Sequence, residues 1–168
     1  MSFDKGVELD TLICEEFEHK YPVVKICLDK GCEDLIPTMS HNDDMGYDIK
    51  ARENVLLKAH TSMLVGTGVH MQLPKEEGYI WNCEVRSRSG LAAKNGIFVL
   101  NSPGTIDQSY TGECKVILCN NSDNDYRIQR GDRIAQLVPQ RRPIVVFEVV
   151  SSLDETDRGN GGFGSSGK

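Results

Sequence analysis

The chain has 168 residues, a length that fits one domain better than two. Folding at this size buries roughly 70% of the surface of the unfolded chain, so neither metals nor disulfides are needed to hold a core. Lysine and arginine number 19 against 25 aspartates and glutamates, a formal charge of −6 that argues against coating nucleic acid or an anionic membrane through a general basic field. The charge is uneven. Residues 85–96 hold Arg86, Arg88 and Lys94 without an acid, and residues 126–142 hold five arginines against Asp132. An anionic ligand is expected at those two segments, with no stable nucleic-acid or membrane partner.

In chain order, residues 1–22 are acidic, with Val7, Leu9, Leu12, Ile13 and Phe17 at loosely helical spacing, and predict a short amphipathic helix serving as a lid or interface patch. Residues 23–150 change texture to short β-type runs cut by Gly, Pro, Asn and Asp: VVKICL, YDIKA, NVLLK, SMLVGTGVHMQL, YIWNCEVR, IFVL, ECKVILC, YRIQ, RIAQLV and IVVFEVV. Runs of this length and punctuation predict an all-β barrel or jelly roll, interrupted by one helical turn at Gly90–Asn95. Residues 151–168 are Gly-rich, cannot pack a core, and are expected to be mobile until something orders them. The six cysteines show no C-x-x-C spacing and read as free thiols of a reducing, cytoplasmic protein. No apolar run approaches the roughly 18 residues of a membrane span.

The tail contains two deceptive patterns. Gly159, Gly161 and Gly164 satisfy G-x-G-x-x-G, and Gly162–Lys168 satisfies G-x-x-x-x-G-K, but neither has the strand, helix or magnesium-binding hydroxyl that would make it a nucleotide fold. A linker is the plain reading of such a composition. Arg158, Ser165, Ser166 and Lys168 nevertheless offer phosphate donors, and a single Phe163 among glycines fits stacking on a base, worth about 1–3 kcal/mol.

Four segments of the body read as site loops. In Met45–Ala51, Asp48 is either a surface carboxylate or a contact to the water shell of magnesium. In Arg86–Gly96, Arg88, Ser89 and Gly90 form either an anion cradle at a helix start or an N-cap serine beside a solvated arginine. Val99–Glu113 reads as a hairpin with a Pro103-Gly104 turn and a returning strand that carries Asp107 and Tyr110, where Asp107 is either a general base or a turn residue. In Arg130–Val138, Gln136 lies among apolar residues and needs a partner such as phosphate or water. Arg133 is read as an ion-pair residue in preference to a ligand.

These five segments, in this order, resemble the trimeric deoxyuridine triphosphatase (dUTPase) family over about Val23–Lys168. The resemblance implies a jelly-roll-like β-barrel in a homotrimer, with active sites at subunit junctions, and dUTP as substrate. It also implies that Asp48 holds Mg2+ through water, that Arg88, Ser89, Gly90 and Gln136 grip phosphates, and that Asn101 and the backbone around Gly104 and Ile106 pair with uracil. Tyr110 would pack under the deoxyribose, and Asp107 would position the water that attacks the α-phosphorus. From the tail, Arg158, Phe163, Ser165 and Ser166 would close over the ligand. Ser87 stands where the family usually has proline, which is expected to loosen that turn. Ser109 and Ser166 replace a common Asp and Thr. Two rivals stay open: a dCTP deaminase-like enzyme, whose hairpin is expected to offer a Glu where this chain has none before Glu113, and a non-catalytic nucleotide sensor.

Overall fold

The structure is a computed structural model that describes residues 21–161. The predicted N-terminal helix and the end of the tail, including Phe163, Ser165 and Ser166, lie outside these residues. The described residues form, in order, eleven strands and one helix: β1 (Lys25–Leu28), β2 (Tyr47–Lys50), β3 (Val55–Leu57), β4 (Ser62–Val65), β5 (Val69–Gln72), β6 (Tyr79–Arg86), α1 (Ser89–Asn95), β7 (Ile97–Val99), β8 (Gly104–Asp107), β9 (Val116–Asn120), β10 (Tyr126–Ile128) and β11 (Arg133–Pro143).

All pairings are antiparallel. They form two small ladders, β1-β5 and β10-β3, a three-stranded sheet β4-β9-β7 and a four-stranded sheet β2-β11-β6-β8. The result is the expected all-β, jelly-roll-like fold, and the expected helical turn is α1. The period-2 pattern explains it: in β9, Val116, Leu118 and Asn120 are buried while the residues between are half-buried. Ile49, Leu57, Val65, Val69, Ile97, Leu118, Ile128 and Ile134 are almost wholly buried and fuse the sheets into one core. Each such aliphatic chain contributes about 1.5–3 kcal/mol on burial.

Two predicted runs depart from expectation. SMLVGTGVHMQL divides into β4 and β5 at Gly66–Gly68, where Gly68 has φ +69° and a Cβ would stand 2.4 Å from Cys32 Sγ. Only glycine suits that position. IVVFEVV, expected as a strand, forms none: beyond Pro143 the chain runs out with Val146, Phe147 and Val149 almost fully exposed. No described strand of the same chain lies beside it to supply a ladder.

β2, β11 and β6 carry the site. A bulge between Arg133 and Ala135 shifts the β2-β11 register, so that Gln136 faces Asp48 on one side and Arg86 on the other. Bulges of this kind re-aim side chains at functional ends of sheets.

Candidate active site

The sheet end where β2 and β11 meet concentrates charge. Asp48 is 3% exposed, which overturns the surface-carboxylate reading. Its Oδ1 accepts from Arg88 Nε at 2.9 Å, and its Oδ2 accepts from Arg133 Nη1 at 3.0 Å and Ser40 Oγ at 3.3 Å. Arg88 Nη1 also donates to the Arg133 carbonyl at 3.1 Å. Arg133 is therefore an ion-pair residue, as expected. Gln136 is half-buried and packs on Gly46, where a Cβ would stand 3.1 Å from its own Cβ, so the glycine lets the first site loop lie flat against the fourth. Asp48, Arg88, Arg133 and Gln136 thus come together from three distant segments. A buried carboxylate bridged by two half-exposed guanidiniums leaves their outer N–H groups available to an anion.

The loop after β6 is knitted to its neighbours. Ser87 Oγ accepts the Val99 N–H at 2.9 Å, and Ser87 N–H donates to Ser102 Oγ at 3.4 Å. The expected loosening at Ser87 is not seen: a hydroxyl and an N–H that proline lacks fasten the turn instead. Ser89 is not the N-cap. Arg88 caps α1 with extended backbone (φ −83°, ψ 122°) and no side-chain cap bond. Gly90 faces open space, with nothing within 4 Å of a notional Cβ.

Val99–Glu113 is not a hairpin. β7 pairs with β9, whereas β8 pairs with β6, so residues 100–103, closed by the Ser102 N–H donating to the Val99 carbonyl at 3.1 Å, carry the chain from one sheet to the other. The turn lies a few residues before the expected Pro103-Gly104 pair, and Gly104 opens β8; the edge that each strand finds is not visible in a local turn signal. β8 ends its sheet, and an edge strand presents backbone N–H and C=O groups without a ladder partner. Asn101 lies against the buried Gly104, where a Cβ would come within 3.0 Å of Nδ2. Ile106 is buried behind them. Tyr110 lies beyond β8, in the turn, where its ring rests on Gly112 (2.6 Å from a notional Cβ to Cζ) and its hydroxyl donates to the Glu113 carbonyl at 3.0 Å. Asp107 is exposed opposite Asn82 and lines a cleft of about 520 Å3 with Gln72, Lys75 and Gln108. Its carboxylate has no hydrogen bond or ion pair among the described residues.

Sequence reasoning missed the support beneath Tyr110. Glu113 Oε1 accepts the Thr67 N–H at 3.0 Å, the Gly68 N–H at 2.9 Å and Arg52 Nη1 at 3.1 Å. Burial pushes this carboxyl up, but the Gly68 amide, Arg52 and the Thr67 amide outweigh it and hold it below its ordinary range. Arg52 also pairs with Asp29 at 2.8 Å. Glu84 is likewise buried on β6 and held low, first by Arg86 and also by Arg142. These partners lie 45 and 46 residues apart for Glu113 and the Gly68 and Thr67 amides, and 85 for Asp48 and Arg133, and meet only in the folded chain; a carboxylate standing two residues before the run KVILC is the one signal the sequence offers.

The five described cysteines are free thiols, with Cys32, Cys83 and Cys114 buried. No group of three or more His, Cys, Asp or Glu side chains is placed to hold a metal among the described residues. Asp48, the predicted water-mediated magnesium contact, accepts from Arg88, Arg133 and Ser40, and a cation that keeps most of its waters and takes few protein carboxylates could reach it only through water. Arg158 donates to its neighbour Gly161 at 2.9 Å and makes no hydrogen bond or ion pair with the barrel among the described residues. No helix among them is long and apolar enough to cross a membrane.

Fold and site together define a jelly-roll-like protein in which Arg88, Arg133 and Gln136 surround the buried Asp48, while Asp107 stands apart, at the Asn82 end of the same sheet. The sequence profile of the dUTPase family matches residues 33–167. Deoxyuridine 5′-triphosphate nucleotidohydrolases of Clostridium acetobutylicum and Helicobacter pylori are 45% and 49% identical over 133 residues, covering 79% of this chain and 89% of each relative. A variant of the Staphylococcus bacteriophage 80alpha dUTPase, solved with dUpNHpp, superposes with a TM-score of 0.73 at 29% identity, covering 87% of this chain and 99% of that one. A dUTPase variant from phage phi11 of S. aureus, described with a structural Mg(II) ion, gives 0.63 at 25% identity, covering 80% and 99%. The chain belongs to the dUTPase family.

Proposed function

We propose that the chain is a dUTP diphosphatase that hydrolyses dUTP to dUMP and pyrophosphate, limiting uracil in DNA and supplying dUMP for thymidylate synthesis. The observation that carries this reading is the convergence of Arg88 and Arg133 on buried Asp48 beside Gln136, at a sheet whose edge strand bears the unpaired Asp107. A triphosphate carries about four negative charges, and the bond that breaks joins the α-phosphorus to the oxygen bridging to the β-phosphate. Charge therefore develops on the departing pyrophosphate, where fixed guanidinium and amide donors act most strongly. In this reading Arg88, Ser89, Gly90 and Gln136 hold the phosphates. The open space over Gly90 is where they approach the backbone. Asp107 accepts a proton from the water that attacks the α-phosphorus in line, a role worth about 10²- to 10⁴-fold.

The edge of β8 near Gly104 and Ile106, with Asn101, offers backbone and amide groups to the uracil edge. Tyr110, standing on Gly112, packs under the deoxyribose and excludes a 2′-hydroxyl. Mg2+, reached by Asp48 through water, supplies neutralising charge on the phosphates when bound. Residues 99–113, with Asn101, Asp107 and Tyr110, come to the site from a second subunit of a homotrimer, and Arg158, Phe163, Ser165 and Ser166 close it from a third. The exposed apolar stretch Ile144–Val150, which no described element of its own chain covers, supports such an assembly.

A nucleotide panel with magnesium and product analysis tests the reading. dUMP and pyrophosphate from dUTP are expected, with UTP, dCTP and dTTP left largely intact. Release of dUTP from dCTP would establish the deaminase instead, and binding without turnover the sensor. Asp107→Asn is expected to bind dUTP within severalfold of the parent while turnover falls at least about 100-fold; near-normal turnover removes Asp107 from the mechanism.

A further inference from the structure

The turn that carries Tyr110 is held at three points. Tyr110 hydroxyl closes on the Glu113 carbonyl, the Glu113 carboxylate is anchored on the Thr67 and Gly68 amides and Arg52, and the Thr111 carbonyl faces His70. Glu113 is held ionised well below neutrality, so the first two ties do not change between mildly acidic and mildly alkaline pH. The third differs in kind. His70 on β5 has Nδ1 at 3.1 Å from the Thr111 carbonyl oxygen and Nε2 at 3.2 Å from Asp29 Oδ1. A carbonyl and a carboxylate both accept and neither donates, whereas a neutral imidazole owns a single N–H. Only the doubly protonated ring satisfies both neighbours. When one proton leaves, the carboxylate, as the stronger acceptor, keeps the remaining N–H. The Nδ1 lone pair then faces the Thr111 carbonyl.

The other ionisable groups around the ring are few. Cys27 stands directly across from it on β1, and Glu113 bridges to it from before β9, where it also meets Lys115. Arg52 occupies the second oxygen of Asp29.

We infer that His70 is a positioning residue: its imidazolium clamps Thr111, fixes the ring of Tyr110 against the sugar, and thereby sets how strongly a ribonucleotide is rejected. The inference rests on the reading of Tyr110 as the residue beneath the deoxyribose. A ring that carries both N–H groups donates to both neighbours and a ring that has lost one cannot, so sugar discrimination is expected to weaken when the ring loses a proton, while phosphate binding at the Arg88 end does not follow it.

The test measures kcat/KM for dUTP and for UTP on the full-length protein from about pH 5.5 to about pH 8.5. The parent is expected to lose roughly 3- to 10-fold of its discrimination across the range. His70→Phe should show reduced discrimination that is flat with pH. His70→Gln, whose amide donates without titrating, should retain the parent's low-pH discrimination throughout. Tyr110→Ala separates the two readings. If it abolishes discrimination while His70→Phe leaves it intact, Tyr110 keeps its role and the inference fails. If Tyr110→Ala leaves discrimination intact, the sugar reading fails and takes the inference with it. An arm without turnover uses the unmodified chain: 15N spectra of the histidine ring and hydrogen exchange at the Gly112 amide. Loss of the Nδ1 proton together with faster exchange at Gly112 supports the clamp. A ring whose protonation does not change over the range, or changes without effect on Gly112, overturns it.

Discussion

Glu113→Gln probes the support of the site without touching any residue proposed to meet substrate. In the parent, one carboxylate oxygen accepts three bonds of 2.9–3.1 Å from two backbone amides and Arg52, and the side chain is only 13% exposed. The amide retains an acceptor oxygen but loses the charge, and charge-assisted bonds are roughly twice as strong as neutral ones. Bonds to charged groups contribute about 1.5–3 kcal/mol against about 1 for neutral pairs. Arg52 is 38% exposed and keeps Asp29, so its share is discounted. The loss comes to about 2–3 kcal/mol, or a fall in Tm of about 5–10 °C for a chain of this size.

The pH dependence carries its own sign. Glu113 is held below its ordinary range in the folded chain, so its stabilisation is fully present above the unfolded carboxylate value of about 4.3 and disappears as pH falls through the folded one. Calorimetry at neutral pH should therefore show the full difference between parent and variant, shrinking below about pH 4. A variant that melts within a degree or two of the parent at neutral pH, or a difference that grows in acid, would refute the reasoning.

Ser87→Ala removes the acceptor of the Val99 amide and should cost about 1–3 kcal/mol by denaturant titration; an unchanged midpoint would mean that the turn is fastened elsewhere. Burial pushes the Cys83 thiol up to about 12 and Cys114 to about 11, so native-state alkylation followed by mass spectrometry should label exposed Cys27 and spare both, which react only after unfolding. Equal rates at Cys27 and Cys83 would contradict the described packing. Removing residues 158–168 should lower turnover at least about tenfold with little change in Tm, since Arg158 makes no bond to the barrel among the described residues. An unfolded product would refute the tail's role as a lid.

Much of the fold was legible because its signal is local. Alternation of buried and exposed residues predicts strands such as β9, and the glycine between two β-type runs marks a turn such as Gly131, with φ +89° before β11. Partner choice is not local. The Pro103-Gly104 turn reads as a hairpin until β7 and β8 are seen to join different sheets. IVVFEVV satisfies strand propensity yet finds no ladder within the described chain.

At the site, glycines and polar residues in apolar runs pointed to Asp48, Arg88 and Gln136, and the choice of an ion pair for Arg133 agrees with its contact to Asp48. Burial of Asp48 was not legible, because it depends on Arg133, 85 residues away. Nor was the layer formed by Asp29, Arg52, His70 and Glu113, whose members look like ordinary surface residues until β1, β5 and the turn before β9 meet.

The central claim is attack by water at the α-phosphorus. Turnover of dUTP with magnesium in 18O-labelled water tests it directly, with mass analysis of both products. One labelled oxygen is expected in dUMP and none in pyrophosphate. Label in pyrophosphate, or a uracil nucleotide released from dCTP in place of dUTP hydrolysis, would contradict it.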